Sequence, residues 1–274
     1  MGNWTGILRL DAEDRYGKTV ARNVYFQGAL KVMRPIYHDN SGQACYYILN
    51  PGGGYLDGDR YRMQFLLEEN AKLTLTTQSA TKVYRTPRLH AYQETEIVMK
   101  KGSYLEYLPD PLIAYRNAKY LQKNIFRMEK GATLFYTDII TPGWSPDGKL
   151  FSYSMLQLIN EIYMEDELAA FDHIKLVPSV QNISGLGFLE NHTHLGSMIV
   201  IGEQANREFL DHLQNEIQNK SPAAAIGISM LPIPGFTVRI MAHSTQAIEG
   251  IFSEYHHIIS RDWFNKRPSF LRKY

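Results

Sequence analysis

Apolar and polar positions alternate with a period of two through most of the chain. In "KLTLTTQ", Leu73 and Leu75 share one side of an extended segment, and Thr74, Thr76 and Gln78 the other. "TEIVMKKGSYLEYLPDP" reads as a strand, a turn at Lys101-Gly102 and a second strand stopped by Pro109 and Pro111. "ATLFYTDIITPGW" and "SMIVIGE" are rich in β-formers, and "FTVRIMAHS" alternates again. Turn signals recur at Lys130-Gly131, Pro142-Gly143 and Pro234-Gly235. Short strands with frequent turns predict a mainly β molecule, its large sheets antiparallel or mixed.

Two segments follow helical spacing instead. Leu210, Leu213 and Ile217 mark one helix, with Phe209 beside the stripe and Pro222 just beyond it. Ile248, Ile251, Phe252, Tyr255, Ile258, Ile259 and Trp263 trace a second, with Ser244 or Thr245 placed to cap its start and Pro268 to end it. Both helices fall in the C-terminal third. With no low-complexity linker, charge block or repeat, residues 1–274 are expected to form a single domain.

Composition narrows the function classes. The 29 Lys and Arg against 28 Asp and Glu leave a formal net charge of +1, too little to neutralise a nucleic-acid backbone. The single cysteine, Cys45, rules out an internal disulfide and a CxxC knuckle, and fits a reducing cytoplasm. The start "MGNWTGILRLDAEDR" lacks a signal-peptide pattern, and Gly6 breaks the myristoylation pattern. No apolar run nears the roughly 18–20 residues of a membrane helix, so a soluble cytoplasmic protein is expected.

The glycines of "NPGGGYLDGDR" invite a nucleotide reading that the flanking residues refuse. Gly53 to Gly58 has the spacing of a P-loop, but Asp59 and Arg60 stand where Lys and Ser/Thr must follow. The dinucleotide fingerprint fails at Asp57. G-x-S-x-G and HExxH are absent. His192 and His194 lie on one side of an extended segment and are the weak metal candidates, more readily read as polar turn residues; His256 and His257 diverge on a helix. Asp57, Asp59, Glu106, Asp110 and Asp138 sit at predicted strand ends or turns. They are turn formers, cation-binding oxygens, or, as a pair such as Glu106 and Asp138, the acid and base of a hydrolase. A stand-alone β module binding carbohydrate is the third reading.

Longer stretches carry a resemblance. "MRPIY", "NPGGGYLDGD", "TLTTQSATKVYRT", "LEYLPDPLIAY", "FYTDIITPGW", "GFTVRIMAHS" and "RPSFLRKY" occur in the order found in the urease accessory family called UreD or UreH, and span almost the whole chain. The resemblance implies a non-enzymatic scaffold of extensive β structure that binds apo-urease. It would recruit a helical accessory partner of the UreF type and, through it, a GTPase of the UreG type that brings nickel. It also implies an internal watery passage for nickel in transit, with no tightly bound cofactor and with Asp59 at the passage or its rim. Asp59, Glu106 and Asp138, with Thr76 and Thr81, are then the candidate passage residues. Phe252, Tyr255, Trp263, Lys266, Arg267, Arg272 and Lys273 are the candidate partner contacts, since aromatic and Arg residues dominate interface hot spots. Trp144 and Lys149 stand where the family carries Arg and Glu, so no role is transferred to them.

Overall fold

The computed structural model describes residues 4–217, 224–266 and 271. Its first sheet contains β1 (Gly6–Arg15), β2 (Lys18–Gly28), β5 (Arg60–Leu67), β8 (Ala91–Met99), β11 (Lys119–Met128), β13 (Met155–Met164) and β14 (Glu167–Leu176). Their spatial order is β14-β13-β11-β8-β5-β1-β2. The second contains β3 (Lys31–Val32), β4 (Ala44–Leu49), β6 (Lys72–Thr77), β9 (Tyr104–Leu108), β12 (Thr133–Ile140), β15 (His194–Ile201), β16 (Ala225–Met230) and β17 (Gly235–Ala242). Here the order is β16-β17-β15-β12-β9-β6-β4-β3, with the short β7 (Thr81–Val83) and β10 (Leu112–Ala114) pairing beside it.

The mixture of strand directions is uneven. From β4 to β13 the chain crosses from one sheet to the other and back, so successive strands within a sheet stack in parallel: β5, β8, β11 and β13 on one side, β4, β6, β9 and β12 on the other. Antiparallel pairing is confined to the flanks, as in β1–β2, β13–β14 and β12–β15–β17–β16. The Lys101-Gly102 turn therefore rounds a corner between sheets instead of closing a hairpin. Corners stack upon one another: Asn70 donates to the Lys101 carbonyl at 3.2 Å and Gly102 to the Gly131 carbonyl at 3.3 Å. All three corner residues have positive φ, which Gly and Asn tolerate and branched residues do not.

Period-two alternation sorts the side chains into two cores. Leu8, Leu10, Phe65, Leu73, Leu75 and Phe126 fill the space between the sheets. Phe135, Val200, Phe236, Val238 and Ile240 face the other way, toward α1 (Arg207–Ile217) and α2 (Thr245–Phe264). Burying each such side chain contributes about 1.5–3 kcal/mol. Helix α2 begins at Ser244, whose Oγ accepts from the Ala247 N–H at 3.2 Å. It ends at Asn265, which takes a left-handed conformation and donates to the Arg261 carbonyl, so it stops before the expected Pro268. The order is thus sheet, sheet, helices, and the site lies between the two sheets.

Candidate functional site

The glycine loop forms the rim of a cavity of about 70 Å³. Gly54 needs its missing side chain: a Cβ there would come 2.7 Å from the Lys82 carbonyl oxygen and from the Tyr84 ring. No helix follows the loop; Gly52 and Gly53 turn their N–H groups onto Asn50, at 3.2 and 2.9 Å, so no phosphate cradle forms. Exposed Gly53 and Ser79 mark the open end. Gln93, Gln122 and Asp138 form the buried end, with Tyr55 and Tyr107 along the wall. The space is polar and large enough to hold water.

Neutral donors surround the floor carboxylate. Asp138 Oδ2 accepts from the Tyr136 hydroxyl at 2.8 Å and from Gln122 Nε2 at 3.1 Å. Burial raises the Asp138 pKa to about 6, an effect only partly offset by those two hydrogen bonds. Tyr55, Tyr107, Tyr120 and Tyr136 are pushed well above the usual phenol range, chiefly by burial, and stay protonated. Tyr55 and Tyr120 both donate to Gln93 Oε1. The result is a buried end of hydroxyls and amides around the Asp138 carboxyl, while Asp110 and Lys82 line the same cavity.

Of the passage candidates, the fold brings together only Asp138 and Thr81, which line this cavity. Glu106 and Thr76 lie on the opposite face of the second sheet. Leu105 and Tyr107 take the inter-sheet side of β9, and Glu106 points toward α2. Thr76 gives its hydroxyl to the Leu108 carbonyl at 2.6 Å, while its neighbours Leu73 and Leu75 face the inter-sheet core. Asp59 ties its own turn, accepting from the Leu56 N–H at 2.8 Å and from Thr5 and Tyr61. Asp57 does likewise with Arg88 and Leu89, and Asp110 with Thr77. The Glu106–Asp138 acid–base pair is thereby overturned: an intervening sheet separates the two groups, so no shared substrate can lie between them.

Glu106 anchors a separate knot. It accepts from Tyr104 at 2.7 Å and from Thr74 at 2.8 Å, with His256 Nε2 at 2.9 Å and Lys266 Nζ at 3.6 Å. Lys266 also reaches Gln43 at 2.5 Å. Burial opposes charge on Glu106, yet His256, Lys266 and Tyr104 together hold its carboxyl well below the usual range. The knot fastens the C-terminal end of α2 to the sheet.

That packing places the partner-contact candidates. Phe252 and Tyr255 are buried against the second sheet, and Trp263 packs 5.1 Å from Phe209 on α1. The stripe is therefore occupied by its own molecule, and Lys266 by the knot. Arg267, Arg272 and Lys273 lie outside the described residues. His192 stacks on His243 at 5.0 Å and His194 is bonded to Thr193. Burial and then His243 lower the His194 pKa. Among the described residues no group of three or more His, Cys, Asp or Glu is placed to hold a metal ion.

The polar interior escaped the sequence reading, which looked for charge. Its signal is present nonetheless: "AYQETEI" and "KYLQKNIF" place Gln93, Thr95, Gln122 and Asn124 on the parity of Ala91, Ile97, Tyr120 and Phe126, which is the buried one.

Comparison with known proteins adds an independent line. The model of the family described as "UreD urease accessory protein" matches residues 5–273. A urease accessory protein UreD of Lachnoclostridium phytofermentans is 48% identical over 274 residues, all of both chains. The proteins of that name from Staphylococcus aureus strains JH9 and Newman are 45% identical over 273 residues, 99% of this chain and 98% of theirs.

Proposed function

Since the chain belongs to the UreD family of urease accessory proteins, we propose that it is a non-catalytic scaffold for urease maturation in the cytoplasm. It holds apo-urease and a helical accessory partner of the UreF type, and through that partner a GTPase of the UreG type. Its polar interior offers nickel a route toward the urease active site. Nickel here is cargo and not a resident cofactor.

The observation that carries this reading is the cavity that ends on Asp138 among neutral hydroxyls and amides. A passing divalent cation needs oxygen ligands that exchange quickly, and a His or Cys cage would trap it. One carboxylate ringed by Tyr136, Gln122 and Gln93 attracts such an ion without surrounding it. Asp138 and Thr81 are the passage residues in this reading; Asp59, Thr76 and Glu106 maintain structure.

The test replaces Asp138 by Leu in cells expressing the whole urease system. The accessory complex should still co-purify with urease, while nickel content and urease activity fall together. Full activation by a variant that assembles normally would remove Asp138 from the route.

A further inference from the structure

Four apolar side chains form a row where the chain turns from the second sheet toward the first. Tyr55 bridges Val83, Val83 pairs with Ala114, and Tyr115 bridges Trp144, all in parallel. Leu56, Tyr84, Tyr115 and Trp144 therefore stand side by side on four successive coils. Backbone bonds of 2.9 Å hold the register, from the Tyr84 N–H to the Tyr55 carbonyl, from Tyr115 to Val83 and from Trp144 to Ala114. Tyr55, Val83 and Ala114 belong to the inter-sheet core, so alternation turns the next residue of each coil outward. The Tyr84 and Tyr115 rings lie 4.8 Å apart and the Tyr115 and Trp144 rings 4.9 Å, matching the spacing between neighbouring strands.

Stacking between coils accounts for Tyr84 and Tyr115, which are half-buried. It leaves the ends of the row open: Leu56 is 58% and Trp144 49% exposed. Cations stand beside the opening. Lys82 takes the same side of β7 as Tyr84, two residues earlier, and exposed Arg85 follows Tyr84. Arg88 and Arg116 have Asp57 and Asp147 as partners, but among the described residues neither Lys82 nor Arg85 has a carboxylate within reach. Two unanswered cations beside an open aromatic row favour an acidic occupant. A second copy of this chain would set Lys82 and Arg85 against their own images, which opposes self-association through this face.

We propose that the row is a docking site for an amphipathic helix with acidic flanks, carried by the helical accessory partner. The inference rests on the scaffold reading above and gives that partner a place on the surface. Four rungs at strand spacing cover roughly 14 Å. A helix rises about 1.5 Å per residue, so apolar residues at i, i+3, i+7 and i+10 span about 15 Å and meet the rungs at nearly the same pitch. An added strand has no edge to pair with here, because the row runs across the coils and presents side chains. Trp144 and the tyrosines supply the rigid, partly apolar area that dominates interface energies. Lys82 and Arg85 pair with carboxylates flanking the apolar stripe of the helix.

The experiment co-expresses the tagged chain with the helical accessory partner, and separately with apo-urease, and measures how much of each it captures. Leu56→Ser/Trp144→Ser removes the open ends of the row, and Lys82→Glu/Arg85→Glu reverses the charge beside it. Each should cut capture of the accessory partner about tenfold or more and leave capture of apo-urease within about twofold. Lys82→Arg/Arg85→Lys should bind like the unaltered chain, whose capture of the accessory partner should weaken as salt rises. Retained urease capture shows that a variant is folded. If the serine variant loses both proteins, the charge reversal decides. Full capture of the accessory partner by the charge reversal, or by a serine variant that still holds urease, overturns the docking site. Loss of both proteins by both variants makes the row structural and overturns it as well. Loss of urease alone would give the row to urease. A change confined to self-association, read by size-exclusion chromatography of the co-expressed complex, would give it to a second copy. Either result removes the helix as occupant. An unaltered chain that captures neither protein would bring down the scaffold reading itself, whatever the row does.

Discussion

Burial raises the pKa of two carboxyls on opposite faces of one sheet, yet their net shifts run in opposite directions, and the difference lies in their neighbours. Glu106 has cationic partners, and its pKa falls; Asp138 has only neutral donors, and its pKa rises to about 6. For Asp138 the folded value lies above the unfolded 3.8. Its contribution to stability is therefore fully present below pH 3.8 and is lost as pH rises through about 6. Asp138→Asn should accordingly raise stability at pH 8 in metal-free buffer, by up to about 3 kcal/mol, with the gain shrinking toward pH 4. Urea denaturation at the two pH values checks this, and a gain that grows on acidification would refute it. Glu106 follows the opposite sign: its contribution is present above its ordinary carboxylate value and disappears as pH falls. Glu106→Gln should destabilise at neutral pH, toward the lower end of the roughly 3–5 kcal/mol for breaking a buried pair, because Lys266 can swing into solvent. The same denaturation measurement reads it. Neither behaviour was legible in the sequence, where both residues appear as single acids in apolar strands. Their faces depend on which parity of β9 and β12 meets the helices.

At the level of elements, period and caps carried the reading a long way. The alternation in β6, β8 and β17 and the two apolar stripes of α1 and α2 are where the pattern puts them. What period two cannot express is whether the next strand pairs beside its predecessor or crosses to the facing sheet. A Lys-Gly turn satisfies the same positive φ in a hairpin or at a corner, so Lys101-Gly102 read equally well both ways. The stacked corners are set by contacts between coils, which lie far apart in sequence. The helix–sheet contact offers a direct test. Gly196 sits under α2, where an added Cβ would come 2.5 Å from Ile248 and 3.0 Å from Phe252. Gly196→Val should lift α2 and cost about 1–3 kcal/mol or more by overpacking. Thermal unfolding by circular dichroism reads the loss. An unchanged midpoint would mean that the helix does not bear on that position.

For the molecule as a whole, alternation between sheets leaves two long open edges in the first sheet, β2 and β14. Their apolar residues are not hidden: Tyr25 and Phe26 are 45% and 44% exposed, and Leu168 and Phe171 are 55% and 57% exposed. Open edges with apolar side chains template pairing with another chain, and enzymes or sugar-binding modules that work alone usually blunt them with charge or Pro. A scaffold that spends its working life in a complex has less need to do so. The chain expressed alone should therefore be largely insoluble or self-associated, and co-expression with the helical accessory partner should move it into the soluble fraction. Phe26→Lys and Phe171→Lys together place charge on both edges and should raise the soluble fraction of the chain expressed without a partner. Sedimentation of the lysate, followed by size-exclusion chromatography of the soluble protein, measures all three conditions. A chain that stays monomeric and concentrated by itself would show that these edges need no cover, and would count against the scaffold reading at the same time.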